Sequence, residues 1–235
     1  MSIGKKLFTK TGAAFDPLAN FETVTYTGNG GTKKVNGYIR KGAAFNGSAN
    51  ITTTLDFNNL TNYTISMWIF VQSAPSGTKF FAGTIQNSGA LNGIYLAVET
   101  DGDIRFYERN ASNTATSLIS TDSIDFGSWN HIVAVRDGST NYLYINNGTP
   151  VSASNATITH AKDFTIGRAG TYTTSPLVGK IDQVRIFNRA LDETTDGEVT
   201  TLYNEDYDSS TKSTTDIFDD GSGIALYEFE DSARS

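Results

Sequence analysis

The sequence predicts an all-β fold: two antiparallel sheets packed as a sandwich, with one short helix near the C-terminal end. Three observations carry this. Apolar residues alternate along short runs instead of recurring at helical spacing. The runs are parted by glycine turns, with 22 Gly against 4 Pro in 235 residues. Asp-Gly or Asn-Gly stands between or after several runs, and both residues accept the positive φ of a tight hairpin. The 14 Phe and 11 Tyr suit pleated surfaces, where rings pack across strands.

Residues 1–20 show neither period and read as an arm, either a disordered terminus or an anchor ordered on a partner. The runs 21–26 and 33–39, parted by Gly28-Asn29-Gly30-Gly31, read as a hairpin or as two edge strands. Residues 63–71 form the strongest strand. Ile65, Met67, Ile69 and Val71 share one face, and Ser66, Trp68 and Phe70 share the other, so it is central and covered on both sides. The run 80–85 follows. The runs 94–99 and 104–107 flank Asp101-Gly102. The run 129–135 enters Asp137-Gly138, and 142–145 stops at Asn146-Asn147-Gly148. These make a meander at sandwich spacing. Residues 164–167 form a short strand. In 179–187, Ile181, Gln183, Arg185 and Phe187 alternate with Asp182, Val184 and Ile186. Asp192 reads as the N-cap of a helix over 193–203, with Val199, Leu202 and Tyr203 turned to the sandwich, although Gly197 weakens it. An acidic linker leads to a last strand over 223–230. The chain thus divides into an arm (1–20), the sandwich (21–205), and a linker with a C-terminal strand (206–235).

The net charge is −7, which offers no basic field for phosphate or for an anionic membrane, so nucleic acid is excluded as a partner. There is no cysteine, hence no disulfide or thiolate metal site. The first residues carry lysines but no apolar run behind them, so no signal peptide is expected. No run of 18 apolar residues exists to insert in a membrane as a helix.

Several segments together resemble the laminin-G-like jelly-roll family of the concanavalin A-like superfamily. They are Gly42-Ala43-Ala44-Phe45-Asn46-Gly47, the tryptophan strand 63–71, the hairpin 129–147, the strand 164–168, and Gly179-Lys180-Ile181-Asp182-Gln183-Val184-Arg185-Ile186-Phe187-Asn188-Arg189-Ala190-Leu191. The resemblance spans about 40–205 and implies a two-sheet jelly roll. The family's opening strand is replaced by residues 21–41. Ala225-Leu226-Tyr227-Glu228-Phe229-Glu230-Asp231 looks like that strand placed at the C-terminus. The chain either closes its sandwich with it or stops at the start of a second repeat. Residues 20–31 also resemble pieces of bacteriophage structural proteins.

No catalytic constellation stands out. Glycosidases of the resembled superfamily carry paired carboxylates on one strand, held side by side. The nearest approach, Glu99-Thr100-Asp101-Gly102-Asp103, sits on a hairpin tip, and turn chemistry accounts for it. His131 and His160 stand in no metal or catalytic spacing. No Gly-x-Ser-x-Gly elbow and no phosphate-binding glycine loop occurs. The resemblance leaves one metal open, calcium, through Asp182 with Glu230 and Asp231, since Ca²⁺ takes six to eight oxygens. Sugar binding would use tyrosine rings, and Tyr172, Tyr107 and Tyr142 are the candidates.

The expected function is a non-enzymatic bacteriophage virion structural protein: a fibre, tail or capsid-decorating component. It would meet other virion proteins, further copies of itself and a cell-surface glycan, and reside in the virion. The alternative is a carbohydrate-binding module of a secreted or surface protein, and a glycoside hydrolase is the third reading.

Overall fold

The computed structural model describes residues 5–6, 25–27, 33–58, 60–86, 92–155, 158, 160, 162–194, 196–205 and 216–229, with backbone alone for 5–6, 25–27 and 33–34. In chain order the described strands are β1 (Lys5–Lys6), β2 (Thr25–Thr27), β3 (Lys33–Asn36), β4 (Lys41–Asn46), β5 (Asn50–Thr52), β6 (Tyr63–Phe70), β7 (Lys79–Gly83) and β8 (Gly93–Val98). Then come β9 (Ile104–Arg109), β10 (Ala115–Ile119), β11 (Trp129–Asp137), β12 (Thr140–Ile145), β13 (Val151–Ser154), β14 (Thr165–Ile166) and β15 (Val178–Phe187). Helix α1 (Glu198–Tyr203) precedes β16 (Gly223–Tyr227).

The described strands form two antiparallel sheets. The nine-stranded sheet runs β1–β16–β15–β6–β11–β12–β13, with β4 also on β15 and β3 on β4. The seven-stranded sheet runs β10–β9–β8–β7–β14–β5–β2. One apolar layer lies between them. From the nine-stranded sheet it takes Ile65, Met67, Ile69, Ile132, Leu143 and Ile186, and from the other Ile94, Leu96, Ile104 and Phe106. Each group has the period of 2 that a half-buried strand requires. The two-sheet, all-β architecture with one short helix is the fold read from the sequence.

The described residues of 21–41 place two edge strands in different sheets: β2 pairs β5, and β3 pairs β4. It is therefore not a hairpin. Strand β4 holds the first half of β15, and β16 holds the second half on the same edge. The C-terminal strand is thus part of the sandwich. The arm lies outside the described residues except Lys5–Lys6, which pair with Leu226 and Tyr227. Linker residues 206–215 also lie outside.

The structure departs from the expected pattern at two places. The alternation along 179–187 breaks at Gln183, whose φ is 47°. Opposite β6, Asp182 pairs with Trp68 and Arg185 with Ser66, so β15 carries one residue more than its partner. This bulge turns both Ile181 and Val184 into the core, where strict alternation would part them. The helix starts later than expected. Gly197, at φ 62°, occupies the N-cap, and Asp192 instead closes a turn, its Oδ1 accepting the Thr194 amide at 2.7 Å. Val199 packs on Val133, Val135 and Tyr144, Leu202 packs on Phe187 and Leu191, and Tyr203 stacks near Trp68.

The helix covers part of the outer face of the nine-stranded sheet. There Trp68 lies under Tyr38, ring centroids 3.5 Å apart and 10° from parallel. Arg185 and Glu205 form a buried bidentate pair beside it, Nη2 to Oε1 at 2.6 Å.

Candidate ligand-binding face

The outer face of the seven-stranded sheet carries a row of half-buried aromatic rings. The Asp101-Gly102 hairpin sets its centre. Strands β8 and β9 pair so that Tyr95 stands directly opposite Tyr107, rings stacked at 4.6 Å and 12°. Their neighbours Leu96, Ile94 and Phe106 point into the core, so both tyrosines point out.

Strand β7 adds Phe80, whose ring meets Tyr95 edge-on at 4.9 Å. A bulge sets Phe80 opposite Ala97 and Ala82 opposite Leu96. Phe81 and Ala82 therefore both enter the core, and Phe80 stays on the outer face. Gly83 faces Tyr95 across the strands. Its φ is +155°, and a Cβ there would sit 2.3 Å from the Ile94 carbonyl oxygen, so only glycine fits.

Tyr172 closes the row at 5.1 Å from Phe80. It comes from the loop after β14, which is pinned from several sides. The Thr165 hydroxyl donates to the Gly83 carbonyl at 2.9 Å and accepts the Gly170 amide at 2.7 Å. The Thr171 amide donates to Ile85 at 3.1 Å, and the Phe80 amide to Ser175 at 2.9 Å.

A polar row runs beside the rings. Glu99 accepts from Thr78 Oγ1 at 2.5 Å and from Arg105 Nε at 2.6 Å, and Arg105 Nη1 reaches Ser117 Oγ at 3.4 Å. Burial pushes the Tyr95 hydroxyl up to about 12, against the pull of Arg105. Burial works against the Arg105 charge, but the hydrogen bond and the charge of Glu99, together with Tyr95, outweigh it, and the guanidinium is held above its usual value. Tyr95 and Arg105 each stay in one charge state near neutral pH. The face offers flat carbon surfaces beside fixed donors and acceptors.

The remaining carboxylates of the hairpin are occupied. Asp101 Oδ1 accepts the Asp103 amide at 3.1 Å, and Asp103 Oδ1 accepts the Ser123 hydroxyl at 2.7 Å.

Of the sequence candidates, Tyr107 and Tyr172 belong to this row, at its two ends. Tyr142 does not. It lies on the outer face of the other sheet, opposite Val135. Asp182 is fully buried, its Oδ2 accepting the Ile39 amide at 2.9 Å and its Oδ1 the Gln183 amide at 2.7 Å. It ties the 37–40 loop to the β15 bulge, and Gly37 makes this approach, since a Cβ there would lie 2.4 Å from Oδ2. Glu230 and Asp231 lie outside the described residues. Among the described residues no group of three or more His, Asp or Glu is placed to hold a metal ion. Phe80 and Tyr95 escaped the sequence reading. Tyr95 was within reach, because it and Tyr107 lie equally far from Asp101 in a tight hairpin.

Residues 41–195, more than half of the chain, match the family described as the concanavalin A-like lectin/glucanases superfamily. The chain belongs to this superfamily. Solved structures share its fold. The binding domain of Paraclostridial Mosquitocidal Protein 1 matches with a TM-score of 0.63 and 20% identity, over 79% of this chain and 48% of that one. Domain 4 of AbnA, a GH43 extracellular arabinanase from Geobacillus stearothermophilus solved with arabinotriose, matches at 0.59 and 20%, over 76% and 87%. The binding domain of botulinum neurotoxin serotype G matches at 0.61 and 17%, over 85% and 48%. The chain spans about half the length of the toxin binding domains it matches. No curated protein sequence matches it. This concanavalin A-like domain is a lectin-like jelly roll in which the aromatic row lies across three neighbouring strands of one sheet.

Proposed function

We propose that the outer face of the seven-stranded sheet binds a carbohydrate chain, and that the domain acts by binding and not by turnover. The row Tyr172–Phe80–Tyr95–Tyr107, beside Thr78, Glu99, Arg105 and Ser117, carries the reading. Ring faces match the C–H faces of sugars, and rigid aromatic side chains lose little entropy on binding. The polar row supplies partners for hydroxyls that lose water. The arabinanase domain of like fold, solved with arabinotriose, lends support. The absence of turnover is favoured by the state of the hairpin carboxylates: Glu99 is paired with Arg105, while Asp101 and Asp103 hold the turn.

A glycan array on the full chain, followed by titration of the best ligand, tests this. Tyr107→Ala and Phe80→Ala are expected to weaken binding by roughly thirty-fold each, near 2 kcal/mol, with the circular dichroism spectrum kept. Absence of any saturable glycan, or affinity untouched in both variants, contradicts the proposal.

A virion component that meets a host surface would use the same face. That narrower setting is supported by the arm and by the resemblance of residues 20–31, both sequence features. Finding the chain in purified particles, as a multimer, would establish it; a monomer found in no particle would end it.

A further inference from the structure

A second site lies on the opposite side of the molecule. On the outer face of the nine-stranded sheet a cavity of about 400 Å³ opens between β11–β12 and the segment 189–194. This size is within the roughly 300–1,000 Å³ range of small-ligand sites. Tyr142 and Tyr144 line it from alternate positions of β12, with Val135 beside them. Ala190 and Leu191 form the far wall, and Asn62, Asp137 and Thr194 stand at the rim with Asp192.

The charges at this cavity are one-sided. Its cation, Arg189, is already matched: Nη1 lies 2.8 Å from Glu198 and Nε lies 2.7 Å from Asp220. Asp137 is exposed and forms no salt bridge among the described residues. Its position is set by Asn62, whose Oδ1 accepts the Gly138 amide at 2.8 Å. Burial first, then Glu193, Tyr142 and Asp192, push the Tyr144 hydroxyl up to about 12. A negative rim over two tyrosines attracts positive charge through its carboxylates, and the tyrosine rings supply carbon and π surface beside it.

We infer that this cavity binds a small organic cation, an ammonium group carried on a sugar or on an alkyl stem, with Tyr142 and Tyr144 against its carbon atoms and Asp137 facing its charge. The inference does not depend on the aromatic row of the other sheet.

Calorimetric titration of the full chain tests it with two matched pairs of probes. Glucosamine is compared with glucose, and choline with its neutral analogue 3,3-dimethylbutan-1-ol. At least one cation is expected to bind about tenfold more tightly than its neutral counterpart, and the pair that shows it tells the sugar source from the methylated one. The preference should vanish in Asp137→Asn, return in Asp137→Glu, and be indifferent to Tyr107→Ala. The rim position of Asp137 lets these variants fold. Cations that bind no better than their neutral counterparts, a preference that survives Asp137→Asn, or binding lost in Tyr107→Ala overturns the inference.

Discussion

Arg136 of the nine-stranded sheet places Nη1 2.7 and 2.8 Å from the two carboxylate oxygens of Glu108 in the seven-stranded sheet. The pair crosses the sandwich, and the Tyr63 hydroxyl donates to the same carboxylate at 2.9 Å. Burial, with Glu108 beside it, holds Tyr63 well above its usual value, so the hydroxyl keeps its proton. Removing one partner strands a buried charge, so Arg136→Met is expected to cost about 3–5 kcal/mol in urea unfolding. Replacing the set together (Arg136→Met, Glu108→Leu, Tyr63→Phe) should cost less than Arg136→Met alone. A triple variant no more stable than the single one would show that the charges themselves hold the sheets.

Both histidines make stability depend on pH. Burial, and then Arg185, holds His131 down at about 3; burial, and then Arg136, holds His160 down at about 4. His131 Nε2 lies 2.8 Å from Ser66 Oγ, and its buried Nδ1 has no partner among the described residues, so the fold favours the neutral ring. Well above pH 6.5 neither folded nor unfolded chain protonates these rings, and their contribution is complete. As pH falls below 6.5 the unfolded chain takes up protons first, and stability falls toward the folded values, by up to about 1.4 kcal/mol per unit for each histidine. Urea midpoints at pH 7 and pH 5 should therefore differ, and His160→Gln should flatten the dependence. Equal midpoints at the two pH values would refute this.

Gln183 sits in the left-handed region inside a central strand, and neither end of its buried amide has a partner among the described residues. Glycine has no Cβ penalty there and no amide to desolvate. Gln183→Gly is expected to raise stability by about 1 kcal/mol, and Gln183→Val to lower it, in thermal unfolding.

Gly170 pins the loop that carries Tyr172. At φ +51°, a Cβ would lie 1.9 Å from the Ile85 carbonyl oxygen. Gly170→Ala should cost more than about 2 kcal/mol and weaken glycan binding, because Tyr172 moves away from Phe80. Tyr172→Ala should weaken binding alone, and a variant pair with the reverse pattern would detach the loop from the site.

Features set by side-chain period were legible in the sequence. Ile65, Met67 and Ile69 face inward and Trp68 outward because a strand alternates, and Asp101-Gly102 marks its hairpin by turn chemistry alone. The bulges were not legible. One extra residue at Gln183 or at Phe81 reverses the phase, and no local preference announces it. The helix start is not legible either, because Asp192 can cap a turn as well as a helix. Tyr107 and Tyr172 could be named singly, but their convergence needs the β7–β8 register and the loop after β14, both set by distant contacts. Tyr142 shows the same limit, since ring type and turn context do not reveal which sheet face a residue joins.

The most direct measurement is a nuclear magnetic resonance titration of the full chain, tyrosine rings labelled, with the best glycan from the array. Signals of Tyr95, Tyr107 and Tyr172 should move together and saturate with one dissociation constant, while Tyr38 and Tyr203 stay still. Shifts confined to the nine-stranded sheet, or saturation that leaves Tyr95 and Tyr107 unmoved, would place the glycan elsewhere and contradict a binding face on the seven-stranded sheet.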